Sequence, residues 1–220
     1  MGRDQRRAIV AGASGLVGSH LVELLLGDDT WAAVTLLVRR ELPLAHGKLR
    51  QQVVDFAALP ALPAADDLFC ALGTTIAKAG SEAAFRAVDL DAVVAFAQAG
   101  WRAGAHQFLV VSSLGADPSA RTFYGRVKGE MERAVGALAF DSIQIFRPSL
   151  LLGTRPELRV AERAATVVLG PLGPLFLGPL AHYRPVAASL VAEAMRRVAR
   201  HALPGLAIHE SERIRELAGA

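Results

Sequence analysis

Tyr124 and Lys128 stand four residues apart, and Ser112-Ser113 precede them at the end of a short apolar run, Phe108–Val111. Four residues is about one helical turn, so the phenol and the ammonium share a helix face. These residue types can deliver a proton to a carbonyl oxygen. A carbonyl that accepts a hydride needs that proton, and a phenol, ionising at about pH 10, is a poor donor and a poor base at neutral pH. A neighbouring ammonium favours the phenolate and brings the group towards the working range. A serine hydroxyl fixes the carbonyl oxygen. Ser112 and Ser113 both qualify, and Ser113 is favoured as the substrate-facing one. The chain has two tyrosines and three lysines, Lys48, Lys78 and Lys128, so the spacing is informative. The competing reading is a buried tyrosine beside a lysine whose stem lies along apolar surface.

Such chemistry needs a hydride source, and residues 8–20 form a place to hold one. An apolar run ends in Gly12, Gly15 and Gly18, and an amphipathic helical pattern follows. A strand turning sharply into a helix presents free backbone N–H groups and the positive end of the helix dipole, where two linked phosphates fit. Gly12 allows the tight turn, Gly15 lets a pyrophosphate approach the backbone, and Gly18 lets the helix pack close to the strand. Leu37-Val38-Arg39-Arg40 comes about 20 residues later, where the second strand of a dinucleotide fold meets the adenosine ribose. An acid there would bind the 2′-hydroxyl of NAD. Arginine instead pairs with the 2′-phosphate of NADP, and can do so bidentately. Arg39 and Arg40 therefore point to NADPH, with Glu41 expected to face solvent. Two arginines on an exposed strand end are the alternative.

The elements that must position these residues alternate. Strands are predicted at Arg7–Ala11, Thr35–Val38, Gln51–Val54, Leu68–Ala71, Phe108–Val111, Ser142–Phe146 and Leu206–His209. Helices are predicted at Gly15–Leu26, Ser81–Ala99 with Ser81 as its cap, Thr122–Leu138 and Val186–Arg200, with a short one at the C-terminus. Leu59–Asp67, with Pro60 and Pro63, is a connector. This alternation implies an α/β fold: a parallel sheet of about seven strands with helices on both faces. The length suits a single domain over 1–220.

Composition excludes several classes. A net charge of +3 makes no case for nucleic acid or membrane. One cysteine, Cys70, excludes an internal disulfide and suits a reducing compartment. The polar N-terminus runs straight into the first strand, so no signal peptide is read, and a cytoplasmic location is expected. The six histidines show no metal-ligand spacing. Asp66-Asp67 reads as a solvated turn and Cys70 as a buried small apolar residue. Residues 164–182 are apolar but broken by Gly170, Pro171, Gly173, Pro174, Gly178 and Pro179, unlike a membrane span. They read as a loop over the cofactor site, part of a substrate-side lid at 150–185. In it Leu175, Phe176 and Leu177 would favour an apolar carbonyl substrate. Core packing and self-association, with a second copy of the chain as partner, are the other readings. His182, Tyr183 and Arg184 follow, as substrate contacts or as a surface turn.

With these residues in place, the chain resembles the short-chain dehydrogenase/reductase superfamily, through Gly12-x-x-Gly15-x-x-Gly18 and Tyr124-x-x-x-Lys128. More narrowly it resembles the atypical, NADPH-binding branch of TIP30-like (Tat-interacting protein) families and their bacterial members. That likeness is carried by Gly12-Ala13-Ser14-Gly15, Arg39-Arg40, Leu72-Gly73-Thr74-Thr75, Lys78-Ala79-Gly80, Val88-Asp89, Ser112-Ser113-x-Gly115-Ala116-Asp117, Tyr124-x-x-Val127-Lys128-Gly129-Glu130 and Phe146-Arg147-Pro148. The resemblance implies a Rossmann-type doubly wound sheet with bound NADPH. It implies that Ser14, Gly15, Leu16 and Val17 line the pyrophosphate, that Arg39 and Arg40 hold the 2′-phosphate, and that Leu72 and Gly73 pass the ribose. Tyr124 and Lys128 would contact the nicotinamide ribose, Leu151 would lie near the nicotinamide, and Arg159 would reach the cofactor. Two features depart from the commoner members. Cys70-Ala71-Leu72-Gly73 replaces their Asn-Asn-Ala-Gly, and the loop from Ser113 to Tyr124 is short and carries Asp117 and Pro118. Two functions follow as expectations: an NADPH-dependent reductase of a small carbonyl compound, or an NADPH-binding redox sensor or scaffold with little turnover.

Overall fold

Apolar runs that bury both of their faces form the centre of the fold. In β1 (Arg6–Ala11), Ala8 and Val10 join one core cluster while Ile9 and Ala11 join the other. Successive side chains of a strand point to opposite faces, so a strand apolar at every position needs cover on both. The computed structural model describes residues 5–152 and 184–220. Around β1 lie β2 (Trp31–Val38), β3 (Leu49–Val53), β4 (Asp67–Cys70), β5 (Gln107–Val111) and β6 (Ser142–Arg147). A two-stranded ladder, β7 (Leu151–Leu152) with β8 (Val186–Ala187), stands apart, and β9 (Gly205–Glu210) closes the main sheet. The seven-stranded order is β3-β2-β1-β4-β5-β6-β9, with every neighbour parallel. Strand order reverses between β1 and β4, which opens a crevice at their carboxyl ends.

Helix α1 (Leu16–Leu26), and further along the chain α6 (Ala188–His201) and α7 (Ser211–Ala218), cover one face through Leu21, Leu25, Met195 and Ile214. Helices α4 (Ala92–Arg102) and α5 (Phe123–Gly136) cover the other through Phe96, Met131 and Val135. The sequence reading of a doubly wound parallel sheet is thus what forms. No helix among the described residues is long and apolar enough to cross a membrane.

Local boundaries differ where tertiary contacts decide them. The single helix expected over Ser81–Ala99 is α3 (Glu82–Arg86), a π-helical stretch Ala87–Asp91, and then α4. Its cap is as expected: the Ser81 hydroxyl accepts the Ala84 N–H at 3.1 Å. A one-turn helix that the sequence did not announce, α2 (Ile76–Ala79), is capped by Thr75, whose hydroxyl accepts the Lys78 N–H at 3.1 Å. Helix α6 starts at Ala188 and not at Val186, because Val186 and Ala187 pair with Leu151 and Leu152. Strand β2 starts at Trp31, four residues before the expected Thr35, because the Trp31 side chain has a buried partner.

That partner corrects the reading of Asp66-Asp67 as a solvated turn. Asp66 does sit at the surface beside Arg7, but Asp67 is wholly buried. Its carboxylate accepts from the Trp31 indole at 2.7 Å, from the Gln107 amide at 3.0 Å and from the Arg6 guanidinium. Burial pushes the Asp67 carboxyl above the ordinary range, against the pull of Arg6 and the two neutral donors. Removing the acceptor leaves the buried Trp31 indole without a partner and the Gln107 amide and Arg6 with only the Ala199 carbonyl. Asp67→Ala is expected to lower the unfolding free energy by about 3–5 kcal/mol in urea titration. A loss below about 1 kcal/mol would show that water satisfies those donors instead.

Candidate active site

The glycine turn is built by close approach. Gly12 follows β1 with φ +90°, and a Cβ there would lie 2.4 Å from the Ala71 carbonyl carbon and oxygen. The turn therefore rests on the chain leaving β4, and only glycine fits. A Cβ on Gly18 would lie 2.1 Å from the Gly12 carbonyl oxygen, so α1 is pressed onto the turn. Gly15 is the helix cap and has no side-chain capping hydrogen bond. The Ser19 N–H donates to the Gly15 carbonyl at 3.0 Å, which leaves the N–H groups of Leu16, Val17 and Gly18 in the uncapped first turn. Ser14 is exposed, Leu16 is half-buried, and Val17 buries its side chain in the core, so Val17 can offer a ligand only its backbone. An uncapped helix start at the mouth of the crevice fits a pyrophosphate.

Arg39 and Arg40 directly follow β2 and are exposed, as is Glu41. The β1–β2 register sets Ala11 beside Leu37, which brings the arginines to the edge that carries the glycine turn. Neither arginine forms an ion pair among the described residues. Both are free to meet a phosphate.

Strands β4 and β5 deliver the other candidates to the same edge. Their register pairs Cys70 with Val110, and Leu72, Gly73, Ser112 and Ser113 lie just beyond. The structure separates the two serines. The Ser112 hydroxyl donates to the Glu132 carboxylate at 2.5 Å. Glu132, itself buried, is gripped by Arg147, with Nε at 3.0 Å and Nη2 at 2.5 Å. The Ser113 hydroxyl is buried with no hydrogen-bond partner among the described residues. Ser112 is thus committed to structure, and Ser113 is the one with an unmet hydrogen bond.

Helix α5 carries the tyrosine and lysine. Thr122 caps it, accepting the Gly125 N–H at 3.1 Å. A Cβ on Gly129 would lie 2.2 Å from the Asp117 carbonyl carbon, so the short loop between Ser113 and Tyr124 lies flat on the helix. Tyr124 packs its ring 5.4 Å from that of Phe85. Lys128 is buried, with Nζ 2.8 Å from the buried Asp89 carboxylate. Burial opposes the Lys128 charge, but Asp89, with smaller help from Tyr124 and Cys70, outweighs it and holds the ammonium above the usual lysine range. In the sequence Asp89 stands out only as part of the Val88-Asp89 pair that carries the family resemblance, with no function assigned. The signal was present: Phe85, Asp89, Ala92 and Phe96 follow helical spacing, so an acid occupies an otherwise apolar, core-facing stripe.

Leu151 is half-buried in β7. Arg159, the segment 164–182, His182 and Tyr183 lie outside the described residues. Arg184 is exposed, and its carbonyl accepts from the Ser149 hydroxyl at 2.7 Å. No group of three or more His, Cys, Asp or Glu able to hold a metal exists among the described residues.

Known proteins share the family and the fold. A profile of NAD(P)H-binding proteins matches residues 12–142. Protein HTATIP2 of Rattus norvegicus is 40% identical over 176 residues, covering 77% of this chain and 72% of that protein. Protein FMP52, mitochondrial, of Coccidioides immitis (strain RS) is 33% identical over 226 residues, covering 96% and 92%. Among solved structures, MoeE5 in complex with UDP-glucose and NAD has the same fold, with a TM-score of 0.70 at 20% identity over 97% of this chain and 81% of that one. The glycine turn, the strand order and these relatives converge: the chain belongs to the NAD(P)H-binding family that includes HTATIP2 and FMP52.

Proposed function

We propose that this protein is an NADPH-dependent reductase of small, apolar carbonyl compounds, from the atypical branch of the short-chain dehydrogenases/reductases. The observation that carries the reading is the buried Ser113 hydroxyl, without a hydrogen-bond partner among the described residues, just beyond β5 and ahead of the helix α5 that carries Tyr124 and Lys128. The turn formed by Gly12, Ser14 and Gly15, with the backbone N–H groups of Leu16, Val17 and Gly18, would hold the pyrophosphate. Arg39 and Arg40 would hold the 2′-phosphate, and Leu72, Gly73, Lys128 and Leu151 would flank the nicotinamide half. The cofactor, when bound, supplies a hydride. The Ser113 hydroxyl donates to the carbonyl oxygen and orients it. The Tyr124 phenol gives that oxygen its proton as negative charge develops. Lys128 keeps two N–H donors beyond the one directed at Asp89, enough to hold ribose hydroxyls. The reducing cytoplasm is the compartment proposed, in keeping with a single, buried thiol at Cys70.

The test is NADPH oxidation, followed by absorbance, with a panel of apolar and charged aldehydes and ketones. Turnover on apolar members above charged ones is expected. Tight NADPH binding with no panel member reduced would assign a sensing or scaffold role instead. Failure to bind NADPH or NADH would remove both readings.

A further inference from the structure

We infer that Asp89 is the counter-ion that keeps Lys128 charged and in place before any cofactor arrives; this rests on the reading of Lys128 as a ribose-holding ammonium. The two side chains are 1% and 4% exposed, at 2.8 Å. An ammonium buried to that degree without a partner gives up its proton. The ionisable groups that face Lys128 are Asp89 from the π-helical stretch, Tyr124 from its own helix and Cys70 from β4. Burial pushes the Cys70 thiol up to about 12, so it brings no charge at neutral pH. Among the described residues, Asp89 alone is within ion-pair distance.

The backbone is arranged to put the carboxylate there. Between α3 and α4 the helix widens for five residues, Ala87–Asp91, with the Ala92 N–H reaching back to the Ala87 carbonyl. This widened turn lets Phe85 and Asp89 on one side, and Val93 and Phe96 on the other, all face inward. Asp89 also fastens a third element. Its second oxygen accepts the Thr74 N–H at 2.8 Å, and a Cβ on Gly73 would lie 3.4 Å from its first oxygen and 4.0 Å from Lys128 Nζ. One carboxylate thus joins the loop after β4, the π-helical stretch and α5. Asp89 is a positioning residue, since it acts through Lys128 and the Leu72–Thr75 loop.

The sign of the pH dependence follows. Lys128 is held above its ordinary value, so the contribution of its own shift to stability is complete below about pH 10 and is lost as the pH rises through the raised folded value. Without Asp89, burial is opposed only by the smaller pull of Tyr124 and Cys70, and the Lys128 midpoint falls below the ordinary range.

Side-chain NMR of isotopically labelled lysine reads this directly, because the chain has only three lysines. Lys128→Met assigns the resonance. In the wild type, without cofactor, Lys128 should titrate above the ordinary lysine value of about 10.4. In Asp89→Asn, whose amide oxygen still accepts the Thr74 N–H, it should titrate below that value, its ionisation constant raised at least about tenfold over the wild type. Asp89→Glu should restore part of the difference. A wild-type Lys128 that titrates at or below the ordinary lysine value overturns the assignment without need of a variant. So does an Asp89→Asn protein that is folded and keeps the wild-type midpoint. NADPH titration of Lys128→Met separates the two readings. Unchanged affinity there, with the NMR result as expected, leaves Asp89 as the counter-ion and removes Lys128 from the cofactor site.

Discussion

Tyr124→Phe is expected to abolish most carbonyl reduction while leaving NADPH bound. The substitution keeps the ring that packs 5.4 Å from Phe85, so α5 and its contact with the stretch beginning at Phe85 survive. It removes the phenol proposed to give a proton to the substrate oxygen. A general acid contributes about 10²–10⁴-fold, and kcat should fall by that factor. NADPH affinity, measured by fluorescence titration, should stay within a few-fold of the wild type, because the phosphates and the adenosine half bind elsewhere. Ser113→Ala should also lower turnover, whereas Ser112→Ala should act on stability, because its hydroxyl is bound to Glu132. A Tyr124→Phe protein with full turnover would take the tyrosine out of the mechanism, and a water or Ser113 would have to supply the proton.

The second large effect is on cofactor choice. Wild-type protein should bind NADPH far more tightly than NADH, and the preference should collapse when both arginines are removed. Each charge-assisted hydrogen bond to the 2′-phosphate is worth about 1.5–3 kcal/mol, or about tenfold to hundredfold in affinity. Arg39→Ala and Arg40→Ala should each lose a factor of that size for NADPH and almost nothing for NADH, which has no phosphate there. Both side chains are exposed, so the preference should also shrink as salt is raised. Equal wild-type affinities for the two cofactors would show that the arginines do not read the 2′ position.

Much of this site is local in origin, and the residues alone disclose it. The turn at Gly12 needs a positive φ and contact with the neighbouring strand, both of which only glycine tolerates. Apolar runs alternating with amphipathic stretches dictate a parallel sheet, because strands apolar on both sides must be covered on both sides. Tyr124 and Lys128 share a face simply through the helical repeat. Arg39 and Arg40 are placed by their distance from the glycines along one strand–helix–strand unit.

What the sequence left open concerns buried polar groups, whose partners are distant in the chain. Ser112 and Ser113 are chemically alike; Glu132 and Arg147, from a helix and another strand, occupy the first and leave the second unpartnered. Asp66 and Asp67 are likewise adjacent and alike, yet only Asp67 meets Trp31, Gln107 and Arg6. The helix over 81–99 reads as continuous because its apolar spacing is nearly regular, and only packing around Asp89 widens it at Ala87–Asp91. Val186-Ala187 reads as the start of a helix until Leu151-Leu152 is found beside it. Periodicity reports which face of an element is buried, since that depends on near neighbours. Which buried acid, amide or hydroxyl is satisfied depends on contacts between elements, and those exist only once the chain has folded.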